Sequence, residues 1–242
     1  MRNIKLLIEY DGTDFVGWQR QPNGRSVQEV IEKTLANLLQ EEVNVIGSGR
    51  TDSGVHARGQ VANFRCNSKM NVGQLQKSLS ALLPEDVCIH EAADVEFDFH
   101  ARYAAKSREY SYLITTKSSA LRRRYSWFVK YKIDNTILDE CANMVLGIHD
   151  FEGFCKLDAG NEHYLSNVFR SKWKSENSNL IYEIEANRFL YGMVRGLVGT
   201  MVDVTRGYRD LDDFRSVLNE KVRAKAGTLA PPHGLTLENV RY

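Results

Sequence analysis

The 242-residue chain is 43% hydrophobic, enough to bury a sizeable core as one large domain or two small ones without disulfide or metal staples. Its 32 Lys and Arg stand against 31 Asp and Glu, a formal charge of +1, so bulk charge does not mark a nucleic-acid binder and any basic surface must be local. Cys66, Cys88, Cys141 and Cys155 show no C-x-x-C spacing, Met1 to Tyr10 lacks a signal peptide's apolar core, and no apolar stretch nears the ~20 residues that span a bilayer, so a cytoplasmic chain with reduced thiols is expected.

Ile4 to Tyr10 reads as a strand closed by Asp11-Gly12, and Ser26-Val27-Gln28-Glu29 has the Ser-x-x-Glu form of a capping box. Val27, Val30, Ile31, Thr34 and Leu38 then predict a helix to about Leu39. Strands are expected at Val43 to Ile46 and Gln60 to Arg65, with a Gly-rich polar loop between them. Val72, Leu75, Leu79 and Leu82 predict a second helix ending before Pro84, and Val87 to Val95 a further strand.

In the second half, Glu109 to Ile114 alternates as a strand that puts Tyr110, Tyr112 and Ile114 on one face. A helix is expected over Thr136 to Leu146 and a strand pair at Val168 to Lys174 and Leu180 to Ala186. A buried helix over Leu190 to Val204 and a last strand at Leu235 to Arg241 follow. Each half thus reads β-α-β-β-α-β. The fold class expected is α+β, with two ferredoxin-like halves, residues 1–104 and 105–242, whose antiparallel sheet borders a central cleft.

The densest chemical signal is Gly47-Ser48-Gly49-Arg50-Thr51-Asp52-Ser53-Gly54-Val55-His56-Ala57-Arg58-Gly59-Gln60, where four glycines frame two arginines, an aspartate and a histidine. Taken alone, it is also what a hairpin-like connection with a turn-capping Asp looks like. Arg50 to Ala57 followed by Gly59-Gln60-Val61 resembles the active-site signature of TruA-type tRNA pseudouridine synthases. Further similar segments follow in family order: Tyr10-Asp11-Gly12-Thr13 with Gly17-Trp18-Gln19, Leu83 to Val87, Ala101-Arg102, Arg108 to Tyr112, Gly147-x-His149-Asp150-Phe151, Ala186 to Leu190, Met193-Val194-Arg195, Ala226-Gly227, and Ala230-Pro231-Pro232-x-Gly234-Leu235. Ser53 stands where that family more usually has Ala, and Leu229 interrupts a run of small residues; neither change removes a reactive group.

The resemblance implies isomerisation of uridine to pseudouridine in the anticodon stem-loop of tRNA, at positions 38 to 40, by a homodimer that needs no metal and no cofactor. Asp52 is its implied catalytic carboxylate, ionised at neutral pH because an unperturbed aspartate titrates at about 3.9. Arg195 is the implied cation beside it, though an arginine on an apolar helix also snorkels to solvent. Arg50 is implied to hold the flipped nucleotide out of its stack, or it is merely solvated. Tyr110 is implied to pack on the base and assist loss of the C5 proton, and core packing beside Tyr112 explains it too. His56 fits loop support better than general-base work, and it joins Arg58 and Arg188 as a candidate substrate contact. Arg122-Arg123-Arg124, Lys172, Lys174, Arg206 and Arg209 are candidate phosphate contacts. The same chemistry on another RNA, or a non-catalytic RNA-binding protein of the same fold, remain the alternatives.

Overall fold

In the computed structural model, which describes residues 1–157 and 163–242, the alternation of the first segment becomes strand β1 (Arg2–Tyr10), with Ile4, Leu6, Ile8 and Tyr10 buried on one face. Helix α1 (Val27–Leu39) starts where the capping box lies: Ser26 accepts the Glu29 N–H at 3.3 Å. Its buried face runs through Val27, Ile31, Glu32 and Leu35. The strand expected at Val43 to Ile46 shrinks to β2 (Ile46–Gly47), because side chains of α1 capture the backbone first. The Val45 N–H goes to Glu32 Oε1 at 3.0 Å, and its carbonyl takes the Gln28 amide at 3.0 Å.

Strand β3 (His56–Cys66) begins four residues before the expected Gln60. It is followed by α2 (Val72–Leu82), which stops ahead of Pro84 as expected, and β4 (Val87–Val95). Strands β4, β1 and β3 pair antiparallel in that order, and β2 adds to β3 at Asn63 and Ala62.

The chain divides into two compact units, Met1–Lys106 with Thr236–Tyr242, and Ser107–Leu235. The second contains β5 (Ser107–Thr115), β6 (Trp127–Phe128), α3 (Asn135–Met144), β7 (Gly147–Asp150), β8 (Leu165–Glu176), β9 (Asn179–Ala186), α4 (Met193–Thr205) and α5 (Leu211–Glu220). Its strands run β5-β9-β8-β7, antiparallel, with β6 parallel to β5. Tyr110, Tyr112 and Ile114 do share the buried face of β5. Helix α4 starts at Met193 rather than Leu190, because its cap Gly192 sits at φ 73°, a left-handed conformation that breaks helical continuity.

Strand β7 and helix α5 have no counterpart in the β-α-β-β-α-β reading. The last strand, β10 (Leu235–Arg241), was expected to close the second half. From Thr236 onward it belongs instead to the first unit, parallel to β3 through Thr236↔His56 and Leu237↔Ala57. Gly59 permits this approach, since a Cβ there would lie 2.3 Å from the Glu238 carbonyl oxygen.

Buried tyrosines give the fold an alkaline limit. Burial pushes the Tyr10 phenol from 10.0 up to about 12, against the opposing pull of Thr51 and Gln60, and burial also raises Tyr112 and Tyr182. The folded chain holds these protons more tightly than the unfolded one. Their contribution is therefore intact below about pH 10 and is lost as pH rises, by about 1.4 kcal/mol per pH unit per tyrosine, until the folded group itself titrates. Thermal unfolding across this alkaline range should show a falling midpoint with little tyrosinate absorbance before unfolding; a midpoint that stays flat contradicts it.

Candidate active site

The loop that carries Asp52 is held at several backbone and side-chain points. Thr51 Oγ1 bonds the buried Tyr10 hydroxyl at 2.8 Å, and its carbonyl accepts the Trp18 N–H at 3.2 Å. Gly17 allows that approach, since at φ 112° a Cβ would sit 2.6 Å from the Thr51 oxygen. Gln60, fully buried within the loop's return strand β3, accepts from Ser48 Oγ at 2.7 Å and donates to the Gly49 carbonyl at 3.0 Å. Gly54 N–H and Ser53 Oγ both reach the Phe15 carbonyl at 3.2 Å. A turn follows, in which the Val55 N–H returns to the Asp52 carbonyl at 3.2 Å.

The outcome is a rigid frame around a half-buried Asp52, with Arg50 exposed on the same loop. Such a frame fixes where a reacting carboxylate points, which is what positional catalysis needs. Gln60→Leu tests the frame, because it removes the Gln60 bonds to Ser48, Gly49 and Tyr10 while keeping bulk. The expected result is a loss of about 1–3 kcal/mol in stability and faster amide exchange at Gly49 to Asp52; unchanged exchange would show the loop is held elsewhere.

His56 is 5% exposed, and its Nδ1 accepts the Gly12 N–H at 3.0 Å with Asp11 Oδ1 3.1 Å away. Asp11 also caps the turn Gly12–Asp14, accepting from Thr13 N at 3.0 Å and Thr13 Oγ1 at 2.6 Å. His56 thus ties the loop's return strand to the turn after β1. Arg58, by contrast, faces out from β3 and pairs with Glu238 at 2.8 Å, with its side chain 68% exposed.

In the second unit, Tyr110 is buried and meets Phe189 edge to face, centroids 5.0 Å apart. The neighbouring Arg188 is half-buried, and its carbonyl accepts from Ser166 Oγ at 2.6 Å. Arg195, on the first turn of α4, donates from Nε to the Ala230 carbonyl at 2.8 Å, while the Ala230 N–H returns to the Arg195 carbonyl at 3.0 Å. Burial raises the Tyr112 phenol, and the charge of Arg195 pulls the other way, so the guanidinium lies within electrostatic reach of that ring. The Tyr112 hydroxyl donates to the Pro231 carbonyl at 2.8 Å. The strand face, α4 and the strap through Ala230 and Pro231 together orient Arg195.

Within its own unit, then, Asp52 shares a loop with Arg50 and a bonded frame with His56, while Arg58 turns to Glu238. Tyr110 packs on Phe189, the sequence neighbour of Arg188, and Arg195 is bonded to Ala230. Gln60, Ser48, Tyr10, Asp11 and Ala230 carry supporting roles that the sequence reading did not assign. For Gln60 the available signal was an amide next to the apolar pair Val61-Ala62, at the foot of the Gly-rich loop.

Two long segments, residues 6–104 and 141–242, match the family model described as tRNA pseudouridine synthase. The chain belongs to the tRNA pseudouridine synthase family. Curated proteins named tRNA pseudouridine synthase A share 41% identity over 244 residues in Caldicellulosiruptor bescii and 40% over 244 residues in Thermoanaerobacter sp., covering 100% of both chains in each case. The relative in Halalkalibacterium halodurans is 42% identical over 238 residues, 97% of this chain and 90% of its own. The synthase-family match includes the Asp52 loop, His56, Arg58, Arg188 and Arg195, while Tyr110 falls between the two matched segments.

Proposed function

We propose that this chain isomerises uridine to pseudouridine in tRNA, at positions 38 to 40 of the anticodon stem-loop, with Asp52 as the essential carboxylate. The observation that carries the reading is the family match over both long segments, one of which includes the whole loop around Asp52. The framed, half-buried setting of Asp52 supports it from the side of chemistry.

The reaction breaks the N1–C1′ glycosidic bond, turns the base, and forms a C5–C1′ bond; C5 then loses its proton and N1 gains one. An ionised aspartate serves this in any of three ways: addition to the sugar, addition to the base, or removal of a sugar proton. Tyr110 packs on the base and assists loss of the C5 proton, Arg195 offsets the desolvation of the Asp52 carboxylate, and Arg50 holds the nucleotide out of its stack. Arg58 and Arg188 contact the RNA, and His56 supports the loop. Both compact units contribute to the reaction, and the active species is a cytoplasmic homodimer.

The test is to incubate purified protein with unmodified tRNA transcripts and map pseudouridine by position. Product at positions 38 to 40 is expected. No product with any RNA rejects the activity, and product only elsewhere rejects the position.

A further inference from the structure

The proposed chemistry uses none of the residues around the end of α4, yet they form a built surface. An open hollow of about 530 Å³ is lined by Tyr131, Lys132, Asp134, Arg206, Gly207 and Tyr208, together with Thr205. The Arg206 guanidinium lies 4.3 Å from the Tyr131 ring centre and 5.3 Å from that of Tyr208, so one planar cation is shared by two aromatic faces. Lys130 Nζ approaches Tyr131 at 5.3 Å. Tyr208 is 73% exposed and Tyr131 43%, so neither ring is covered as a core aromatic would be.

The chain segment that leads into this hollow is basic. From Tyr110 to Ile133 the chain has no Asp or Glu but six basic residues, Lys117, Arg122, Arg123, Arg124, Lys130 and Lys132, whereas 31 of all 242 residues are acidic. Asp134, Asp203 and Asp210 lie on the flanking segments, and Asp210 caps α5 by accepting the Asp213 N–H at 2.7 Å. Asp134 caps α3, accepting from Thr136 N at 2.9 Å and Ile137 N at 3.4 Å, and the Asp203 side chain lies 3.4 Å from Arg206. Exposed aromatic faces interleaved with lysines match an unstacked nucleic-acid strand, whose bases stack on rings while its phosphates meet ammonium groups. An acidic peptide would use the cations and leave the ring faces unused.

We propose that Tyr131, Lys132, Arg206 and Tyr208 form a second RNA contact, which takes an unpaired, unstacked nucleotide of the substrate RNA other than the reacting uridine. It rests on the reading that RNA is the substrate, but its test does not use turnover. Kd for a tRNA transcript is measured across a salt series for the full chain and for Tyr208→Ala, Lys132→Ala and Arg206→Lys. Arg215→Ala, an exposed arginine of α5 paired with Asp212, controls for net charge.

Tyr208→Ala should raise Kd at least ~5-fold with little change in salt slope, the effect of losing one stacked base. Lys132→Ala should lower the slope of log K against log salt by about 0.7–0.9, the value of one phosphate contact. Arg206→Lys should weaken binding at an unchanged slope, and Arg215→Ala should change neither quantity. Wild-type Kd and slope in both Tyr208→Ala and Lys132→Ala overturn the proposal, as does weakened binding of polyglutamate with RNA binding intact. If Tyr208→Ala does not fold, the slope of Lys132→Ala decides alone. Tight RNA binding that these variants weaken, with no pseudouridine formed by the parent, rejects the proposed activity and leaves this contact standing. Pseudouridine formed by the parent, with variants binding as the parent does, rejects only the contact.

Discussion

Asp52→Asn is expected to lower the single-turnover rate on tRNA by on the order of 10⁴-fold or more, the scale on which loss of a reacting carboxylate or its partner acts. The amide keeps the shape of the side chain and removes its charge, so nucleophilic and basic roles vanish together. The fold should survive the change. The loop is held at Ser48, Gly49, Thr51 and Gly54 by bonds to Gln60, Tyr10, Trp18 and Phe15, none of which uses the Asp52 carboxylate. RNA affinity should accordingly stay close to that of the parent. Turnover within about tenfold of the parent would reject Asp52 as the reacting group whichever of the three routes is followed.

Gly199→Ala is expected to have the largest effect on stability, and its sign is not the usual one. In the interior of a helix, alanine is favoured over glycine by about 1 kcal/mol. Here a Cβ at Gly199 would lie 1.8 Å from the Thr228 carbonyl oxygen and 3.0 Å from the Ala230 nitrogen, so backbone would have to move. Overpacking of this kind costs about 1–3 kcal/mol or more and should outweigh the helical gain.

The strap that would be displaced is the one whose Ala230 holds Arg195. The variant should therefore also lose activity at temperatures where it remains folded. Gly207→Ala is the comparison: at φ 70° with nothing near the added methyl, it carries only backbone strain of about 1 kcal/mol. Equal unfolding midpoints for the two variants would show that the strap yields freely and that Gly199 is not needed for close approach.

Much of the candidate site was legible because its signals are local. Gly47 to Gln60 concentrates glycines, an aspartate and cations within one short stretch, and the alternation of β5 put Tyr110 and Tyr112 on one buried face. The capping box at Ser26 also acts where it was read. Helix α5 was legible but not read: Asp210 caps it by accepting the Asp213 N–H at 2.7 Å, and Phe214, Val217 and Leu218 repeat at helical spacing. Val43 to Ile46 was a different matter. Its strand pattern was sound, but Glu32 and Gln28, more than a dozen residues earlier, compete successfully for the Val45 backbone.

By itself the sequence determined where most helices and strands begin, which faces they bury, and which residues could perform carboxylate chemistry. These depend on spacings of two to four residues along one chain segment, where sterics and hydrogen-bond geometry leave few choices. Only the tertiary structure decided that β10 joins β3 rather than the second unit, that Gln60 and Tyr10 brace the Asp52 loop, and that Ala230 orients Arg195. Those outcomes turn on which distant backbone and side-chain groups reach a donor or acceptor first, and no local pattern in this chain encodes the winner of that competition.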